Sequence, residues 1–362
     1  MSGGYPHPHS ALLFALVVLC GVMMAASAST MTINQGSAMA SFSNAAVAAA
    51  AVGAAFAVYF ARTRSDKGGH ISEVVLHKTA GWEIITGDRK RLEAKIAKLR
   101  REGSDKLVVV SDFDMTLTSF RMPDGSRGMS THGILERSGY FGEAFTSRAK
   151  QIFNKFYPIE VDPNIDHATK WAAMDEWWET THGLMVAEGL TKDDIKSCVA
   201  QGHFAFRDGV KELLDRLSEK QVPVMVFSAG IADVLEEIFR QRLDMDDVNI
   251  VSNRMKFDAA GKLVGFQDKT IHIMNKGAVA LQGTPNYKKV AGRKNVILLG
   301  DSPGDLRMAD GLDEAETVLR IGFLNDKLVE RREEYLGLFD VVLVNDGPMT
   351  AFQHLLDPIL SA

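Results

Sequence analysis

Through its first 65 residues the chain has no aspartate and no glutamate, and its first arginine is Arg62. A folded surface carries charge of both signs, so this stretch is excluded from the globular part. Two apolar segments fill it, residues 11–29 and the Ala-rich 45–61, and Arg62, Arg64 and Lys67 follow at once. Residues 1–67 therefore read as a hydrophobic leader. One reading is a signal-like apolar region followed by a membrane span with its basic flank cytosolic; another is a hairpin of two spans. Either would anchor a cytoplasmic catalytic domain to a membrane. An organelle transit peptide and plain Ala-rich low complexity are the alternatives. Cysteine is scarce as well: Cys20 and Cys198 are the only two, and neither sits in a metal-ligand spacing. That excludes a disulfide framework and a zinc site and favours a reducing compartment for the folded part. Positive charge is not in excess. A net charge of -5 excludes a long-range basic field for nucleic-acid polymers, while small phosphates need only a local basic residue.

What remains, with 46% hydrophobic and 24% charged residues overall, is enough chain to bury a full core. Its organising stretch is residues 107–118, LVVVSDFDMTLT. An unbroken apolar run is the mark of a strand buried on both faces, and ligands of open α/β sheets sit at the strands' carboxyl ends. Asp112 and Asp114 stand at that end. In an extended segment they share a face while Phe113 turns into the packing. Two carboxylates so close repel each other and need a cation or a shared proton.

Around this strand the chain alternates. Residues 88–102 carry Leu92, Ile96 and Leu99 at helical spacing and close at Gly103. Residues 120–206 show no core strand and are rich in aromatic, amphipathic helical stretches, which reads as an inserted lid or domain. Residues 208–220 read as a helix with Asp208 as its N-cap. Strands follow at 222–227, ending in Ser228-Ala229-Gly230, at 249–253, at 295–299, ending in GDSPGD, at 317–323 and at 340–344, with a hairpin over 256–267 and a helix at 231–241. Repeated βα units argue for an α/β fold with a doubly wound parallel sheet. Three strand ends then carry polar groups to one sheet edge: Asp112 with Asp114, Ser228 with Gly230, and Asp301 with Asp305. Any one of them alone is an ordinary helix cap; together they are a site.

The stretches DFDMT, FSAG, NK and GDSPGD resemble the haloacid-dehalogenase superfamily of aspartate-dependent phosphotransferases. The longer YPIEVDP (157–163), EWWETTHGL (176–184), FSAGIADVLEEI (227–238), LLGDSPGDLRMADG (298–311) and IGFLNDK (321–327) are similar to one branch of it, the cytosolic type III or pyrimidine 5′-nucleotidases. The resemblance covers the chain after Lys67. It implies a haloacid-dehalogenase-like Rossmannoid core built from residues 68–119 and 207–362, with 120–206 as a helical cap. It implies an Mg²⁺-dependent 5′-nucleotidase acting on nucleoside 5′-monophosphates, either pyrimidine ones such as CMP and UMP or 7-methyl-GMP. By the same resemblance Asp112 is the nucleophile that forms an aspartyl-phosphate, and Asp114 is the acid and then the base. Asp112, the Asp114 carbonyl and Asp301 hold Mg²⁺, with Asp305 supporting them directly or from behind. Ser228, the Ala229 amide and Lys276 hold the phosphate, and Glu160 accepts from the base's exocyclic amino group. Thr181 stands where relatives often have Ser, keeping the hydroxyl and adding a methyl.

Each assignment has a plainer reading beside it. Lys276 alone is a surface lysine, and the Thr116 hydroxyl serves to hold the turn after the strand. Trp177 and Trp178 point about 100° apart on a helix, so one packs in the core while the other lines a pocket. If Trp178 stacks on the base, indole favours a cationic ring such as 7-methylguanine. Two rival functions stay open: a phosphatase of the same superfamily acting on another phosphomonoester, and a membrane-tethered binding protein with a retired site.

Overall fold

The computed structural model describes residues 71–162, 164–277, 285–310, 312 and 314–361. The leader and every reading of it lie outside these residues. Among the described residues no helix is long and apolar enough to cross a membrane.

The centre is an eight-stranded sheet with the strand order β1-β2-β10-β9-β8-β3-β4-β5. Its strands are β1 (Val74–Lys78), β2 (Glu83–Thr86), β3 (Leu107–Ser111), β4 (Val224–Ile231), β5 (Asn249–Asn253), β8 (Asn295–Gly300), β9 (Thr317–Leu324) and β10 (Val341–Val344). A separate hairpin pairs β6 (Met255–Phe257) with β7 (Leu263–Phe266). The strands from β10 to β5 run parallel, as the alternation of strand and helix predicts. The expectation of a wholly parallel sheet is corrected at one edge, where β2 pairs antiparallel with β10, and β1 with β2. An antiparallel edge strand on a parallel sheet is common, and short half-exposed strands such as β1 carry little apolar signal.

β3 is buried at all five positions. From it the chain moves first to β4 and β5 on one side and later to β8 on the other. The order therefore reverses at β3, and the crevice for a ligand opens at the carboxyl ends of β3 and β8. The Asp112 amide donates to the Leu299 carbonyl at 3.0 Å, so the β3–β8 ladder carries straight into the first acid.

Between β3 and β4 come the helices Thr131–Arg137, Gly142–Val161, His167–Glu188 and Lys192–Gln201, and then Val210–Glu219, which leads back into the sheet. Local chemistry sets their ends. Asp166 caps His167–Glu188 by accepting from the Ala168 and Thr169 amides, and Gly189 ends it in the left-handed conformation. Thr191 and Asp194 form a capping box at the next helix. Phe156, Ala173 and Met174 form a small core of their own, against which Trp177, Trp178, Ile273 and Met274 pack.

Two local expectations change. The helix expected from Asp208 begins one turn position later, as Val210–Glu219, with Gly209 in the capping place and no side-chain cap. Gly209 has φ +86°, and a Cβ there would lie 2.9 Å from the Thr350 amide nitrogen, while the Asp208 carbonyl accepts from the Met349 amide. Strand β4 also continues through Ser228-Ala229-Gly230 to Ile231, with a register shift against β5 after Phe227. The Asn253 amide group explains how this irregular end is held. Its nitrogen lies within 3.0 Å of the Ala229, Gly230 and Ile271 carbonyls, and its oxygen accepts from the Ile271 amide.

The turn after β3 depends on a residue to which no sequence signal drew attention. Arg207 is 2% exposed. It donates to the Thr116 carbonyl at 3.1 Å, the Met115 carbonyl at 2.9 Å and the Gly347 carbonyl at 2.6 Å, and it pairs with Asp346 at 2.9 Å. Met115 sits in the left-handed region, φ 64°, so the turn needs this external support. The Thr116 hydroxyl does not hold the turn: it is buried with no partner, and Thr118 does that work by accepting from the Met115 amide at 2.9 Å. Replacing Arg207 by Met strands Asp346 and three carbonyls. Urea unfolding of the full chain should show a loss of about 3–5 kcal/mol. A loss within experimental error would show that the turn stands without it.

Candidate active site

The site is built outward from Asp112, which is 4% exposed. Lys276, 3% exposed, places its Nζ against Asp112 Oδ1 and, at 2.8 Å, against Asp305 Oδ1. The reading of Lys276 as a solvated surface residue is thereby excluded. The other oxygen of Asp305 accepts from the Ser302 amide at 2.9 Å and the Ser302 hydroxyl at 2.8 Å, so the turn after β8 fixes Asp305 as a capping box. Asp301 ends β8 beside it. Asp112, Asp301 and Asp305 each offer an oxygen, and the three lie within 4.8 Å of one another.

Burial governs the protonation of these acids. It pushes the Asp112 carboxyl up to about 7; Lys276 opposes the shift, and Asp305 and Asp114 add to it. Burial, with the neighbouring charges of Asp305 and Asp112, holds Asp301 well above the usual carboxylate range. One lysine is thus too little positive charge for the cluster, and buried, convergent carboxylate oxygens are what a hard divalent cation takes as ligands. The residues fit Mg²⁺.

Asp114 is held differently. The Thr131 amide donates to its Oδ1 at 3.0 Å and the Thr131 hydroxyl to its Oδ2 at 3.1 Å. Burial raises its pKa to about 6, with the two Thr131 bonds acting against that rise. Thr131 comes this close because residue 230 is glycine: a Cβ there would lie 2.0 Å from the threonine hydroxyl. Gly230 also donates its amide to Ser228 Oγ at 3.0 Å, so Ser228, Thr131 and Asp114 are one packed unit.

All ten residues singled out from the sequence face one pocket. Its floor has Asp112, Asp114, Asp301, Asp305 and Lys276, with Ser228 and Ala229 at the side; Glu160, Trp178 and Thr181 come from the helices between β3 and β4. The cavity measures about 260 Å³, far more than a phosphate group needs. The expected division between the two tryptophans is not found, since both line the pocket. Trp177 stacks on Phe156 with the planes 13° apart, and Trp178 donates its indole N–H to the Ala229 carbonyl at 2.9 Å. Trp171 is elsewhere, edge-on to the buried His272. Glu160 has its carboxyl pushed up to about 7 by burial, with Arg127 and Lys170 partly offsetting it. The Thr181 hydroxyl is buried without a partner. Thr131, His132, Glu136 and Arg127 are pocket or supporting residues to which no motif pointed; the STH and ILER letters around them read as an ordinary helix start.

A parallel sheet that gathers acids and a buried lysine below a nucleotide-sized cavity has known relatives. Residues 115–360 match the family model described as pyrimidine 5′-nucleotidase (UMPH-1). A 7-methylguanosine phosphate-specific 5′-nucleotidase of Gallus gallus is 42% identical over 272 residues, 75% of this chain and 94% of the relative. The Homo sapiens protein of the same name is 40% identical over 271 residues, 75% of this chain and 90% of the relative. The crystal structure of cytosolic 5′-nucleotidase IIIB bound to cytidine is similar at a TM-score of 0.68 and 33% identity, covering 75% of this chain and 90% of that one. The class so defined is a phosphoric monoester hydrolase. Within it, the chain belongs to the pyrimidine 5′-nucleotidase family.

The raised Asp112 makes a prediction about stability. An acid whose pKa in the fold is about 7, against 3.8 ordinarily, favours folding when protonated and costs stability as pH rises through that range. Removing Lys276 deepens the cost of the charged form. Urea unfolding of Lys276→Met without added metal should therefore show a larger loss at about pH 8.5 than at about pH 5.5. Equal losses at both would mean that the lysine serves packing and not charge.

Proposed function

We propose that this enzyme hydrolyses nucleoside 5′-monophosphates to nucleoside and phosphate through an aspartyl-phosphate on Asp112. The supporting observation is the placement of Asp112 and Asp114 at the end of β3, one against Lys276 and the other against Thr131, below a pocket that carries Glu160. Residues 68–119 and 207–362 serve as the phosphatase core, and 120–206 as the cap over it.

An Asp112 carboxylate oxygen attacks phosphorus and the bond to the ribose 5′-oxygen breaks. Asp114, whose pKa of about 6 leaves a working fraction of it protonated just below neutral pH, gives its proton to that oxygen as the nucleoside leaves. Asp114, now ionised and steadied by Thr131, then takes a proton from water. The water oxygen attacks phosphorus, the Asp112–phosphorus bond breaks, and phosphate is released with Asp112 restored. Ser228 and the Ala229 amide hydrogen-bond the phosphoryl oxygens, and Lys276 offsets their charge. Mg²⁺ held by Asp112, Asp301 and the Asp114 carbonyl, with Asp305 alongside, would supply the positive charge that lets a carboxylate approach a phosphate.

Base choice rests on the cap. Glu160 accepts from an exocyclic amino group, as a carboxylate does from cytosine N4. The Thr181 hydroxyl is a second polar group without a protein partner in the same wall. Trp178 has spent its N–H on Ala229, which leaves the ring face for a base. The relatives' names point both ways, to 7-methylguanosine phosphate and to cytidine.

Two measurements test this. Asp112→Asn should lower the hydrolysis of CMP, UMP and 7-methyl-GMP by at least about a thousandfold, and retained phosphate release would refute the covalent route. Thr131→Val removes the hydroxyl donor to Asp114 Oδ2 and leaves the backbone amide donor to Oδ1, so the pKa of Asp114 rises above about 6. Because phosphoryl transfer needs Asp114 protonated, the alkaline fall of kcat/KM should move to higher pH. An unmoved or lowered limb would take the acid role away from Asp114.

A further inference from the structure

One face of the helix Thr131–Arg137 has a use that the phosphate chemistry does not absorb. We propose that His132 and Glu136 form a subsite for the ribose hydroxyls of the substrate, an inference that rests on the nucleotidase reading above.

The two residues are four apart, on the same side of the helix and about 6 Å apart along its axis. Both line the pocket. His132 is fixed in orientation by its neighbours: it lies edge-on to Trp178 at 5.7 Å and stacks on His182 at 5.8 Å. With the ring so held, its Nε2 is buried and has no hydrogen-bond partner. The nitrogen alone would not carry the point, because His182 Nε2 is unpartnered too and does not face the pocket. Glu136 is the second observation. Its carboxyl makes no hydrogen bond or ion pair with another described residue, and the charge it feels is that of Arg137, next in the chain. Buried polar groups are ordinarily paired, and here an unpartnered buried nitrogen and a half-buried carboxyl without a protein partner line the same cavity from one helical face.

Position identifies the ligand group. Thr131, at the start of this helix, holds the carboxyl of Asp114, which marks the oxygen that leaves with the alcohol. The helix therefore runs beside the alcohol half of the ester. Glu160 and Thr181, which serve the base, are on the two longer helices. The sugar lies between the 5′-oxygen and the base, and its cis-diol offers two hydroxyl donors. A carboxyl and an imidazole nitrogen that accepts suit that pair. Burial depresses the His132 ring to about 4, which keeps it neutral and able to accept at neutral pH.

The test compares kcat/KM for the better of CMP and 7-methyl-GMP, for its 2′-deoxy and 3′-deoxy analogues, and for p-nitrophenyl phosphate, which has no sugar. Glu136→Ala, the isosteric Glu136→Gln and the ring-preserving His132→Phe are assayed beside the unaltered chain. Thermal melts establish that each variant is folded. The ribonucleotide should lose about tenfold or more in Glu136→Ala, p-nitrophenyl phosphate should change by less than about twofold, and the preference over at least one deoxy analogue should fall toward one. Unchanged ratios for both analogues, or equal losses on the sugar-free ester, would overturn the subsite. Failure of the unaltered chain to act on any nucleoside monophosphate while it hydrolyses p-nitrophenyl phosphate would instead overturn the nucleotidase reading, so the two failures are separable.

Discussion

A buried ammonium between two buried carboxylates is the constraint on which the rest of this molecule depends. Lys276 comes from the loop before residue 285 and pairs with both Asp112 and Asp305, so the ends of β3 and β8 are tied by one charge. Charge taken out of water is costly unless it is paired and hydrogen-bonded, and the surroundings show that cost being met. Ser302 donates twice to Asp305, and Asn253 anchors the loop that leads to Lys276. Arg207 then holds the turn between Asp114 and the following chain. The fold resists these acids, and its polar supports keep them in place.

That resistance also sets the protonation of the acids. A carboxyl pushed up to about 6 can both give and take a proton near neutral pH, and burial with only two opposing hydrogen bonds produces that value at Asp114. A second carboxyl raised to about 7 stands two residues away, in contact with a cation. The same sequence pattern, Asp-Phe-Asp, gives two different environments because the strand ends between them. Asp112 stays in line with the β3–β8 ladder, and Asp114 turns to the helix that starts at Thr131.

Most of the core was legible because its signals are local. An apolar run ending in acids fixes β3, and capped, periodic stretches fix the helix Arg89–Glu102 and the helices between β3 and β4. Strands β1 and β2 were not, since β1 is a short, largely exposed edge strand and β2 is only four residues long, too short for its buried residues to show a period. The site divides in the same manner. The candidate site residues stand in long motifs, and all of them line one pocket. The residues that support them do so through space, across sequence distances that no motif spans. Arg207 and Asn253 look like surface or turn residues until their carbonyl partners are known, and Thr116 looks like a turn holder until Thr118 is seen in that place. His132 and Glu136 are visible only once a helix face is set against a cavity.

The indole of Trp178 donates its single N–H to the carbonyl of Ala229, and Ala229 belongs to the end of β4 that lines the pocket beside the acids. One side chain is thus shared between the wall proposed to meet the base and the strand end proposed to meet the phosphoryl group. Under the proposed reading, selectivity and turnover are then coupled at this tryptophan. A lineage that altered the base it accepts by replacing this tryptophan would also loosen the phosphate's seat. Changes of taste are expected to accumulate at Glu160 and Thr181, where a contact can be traded without touching the groups assigned to the reaction.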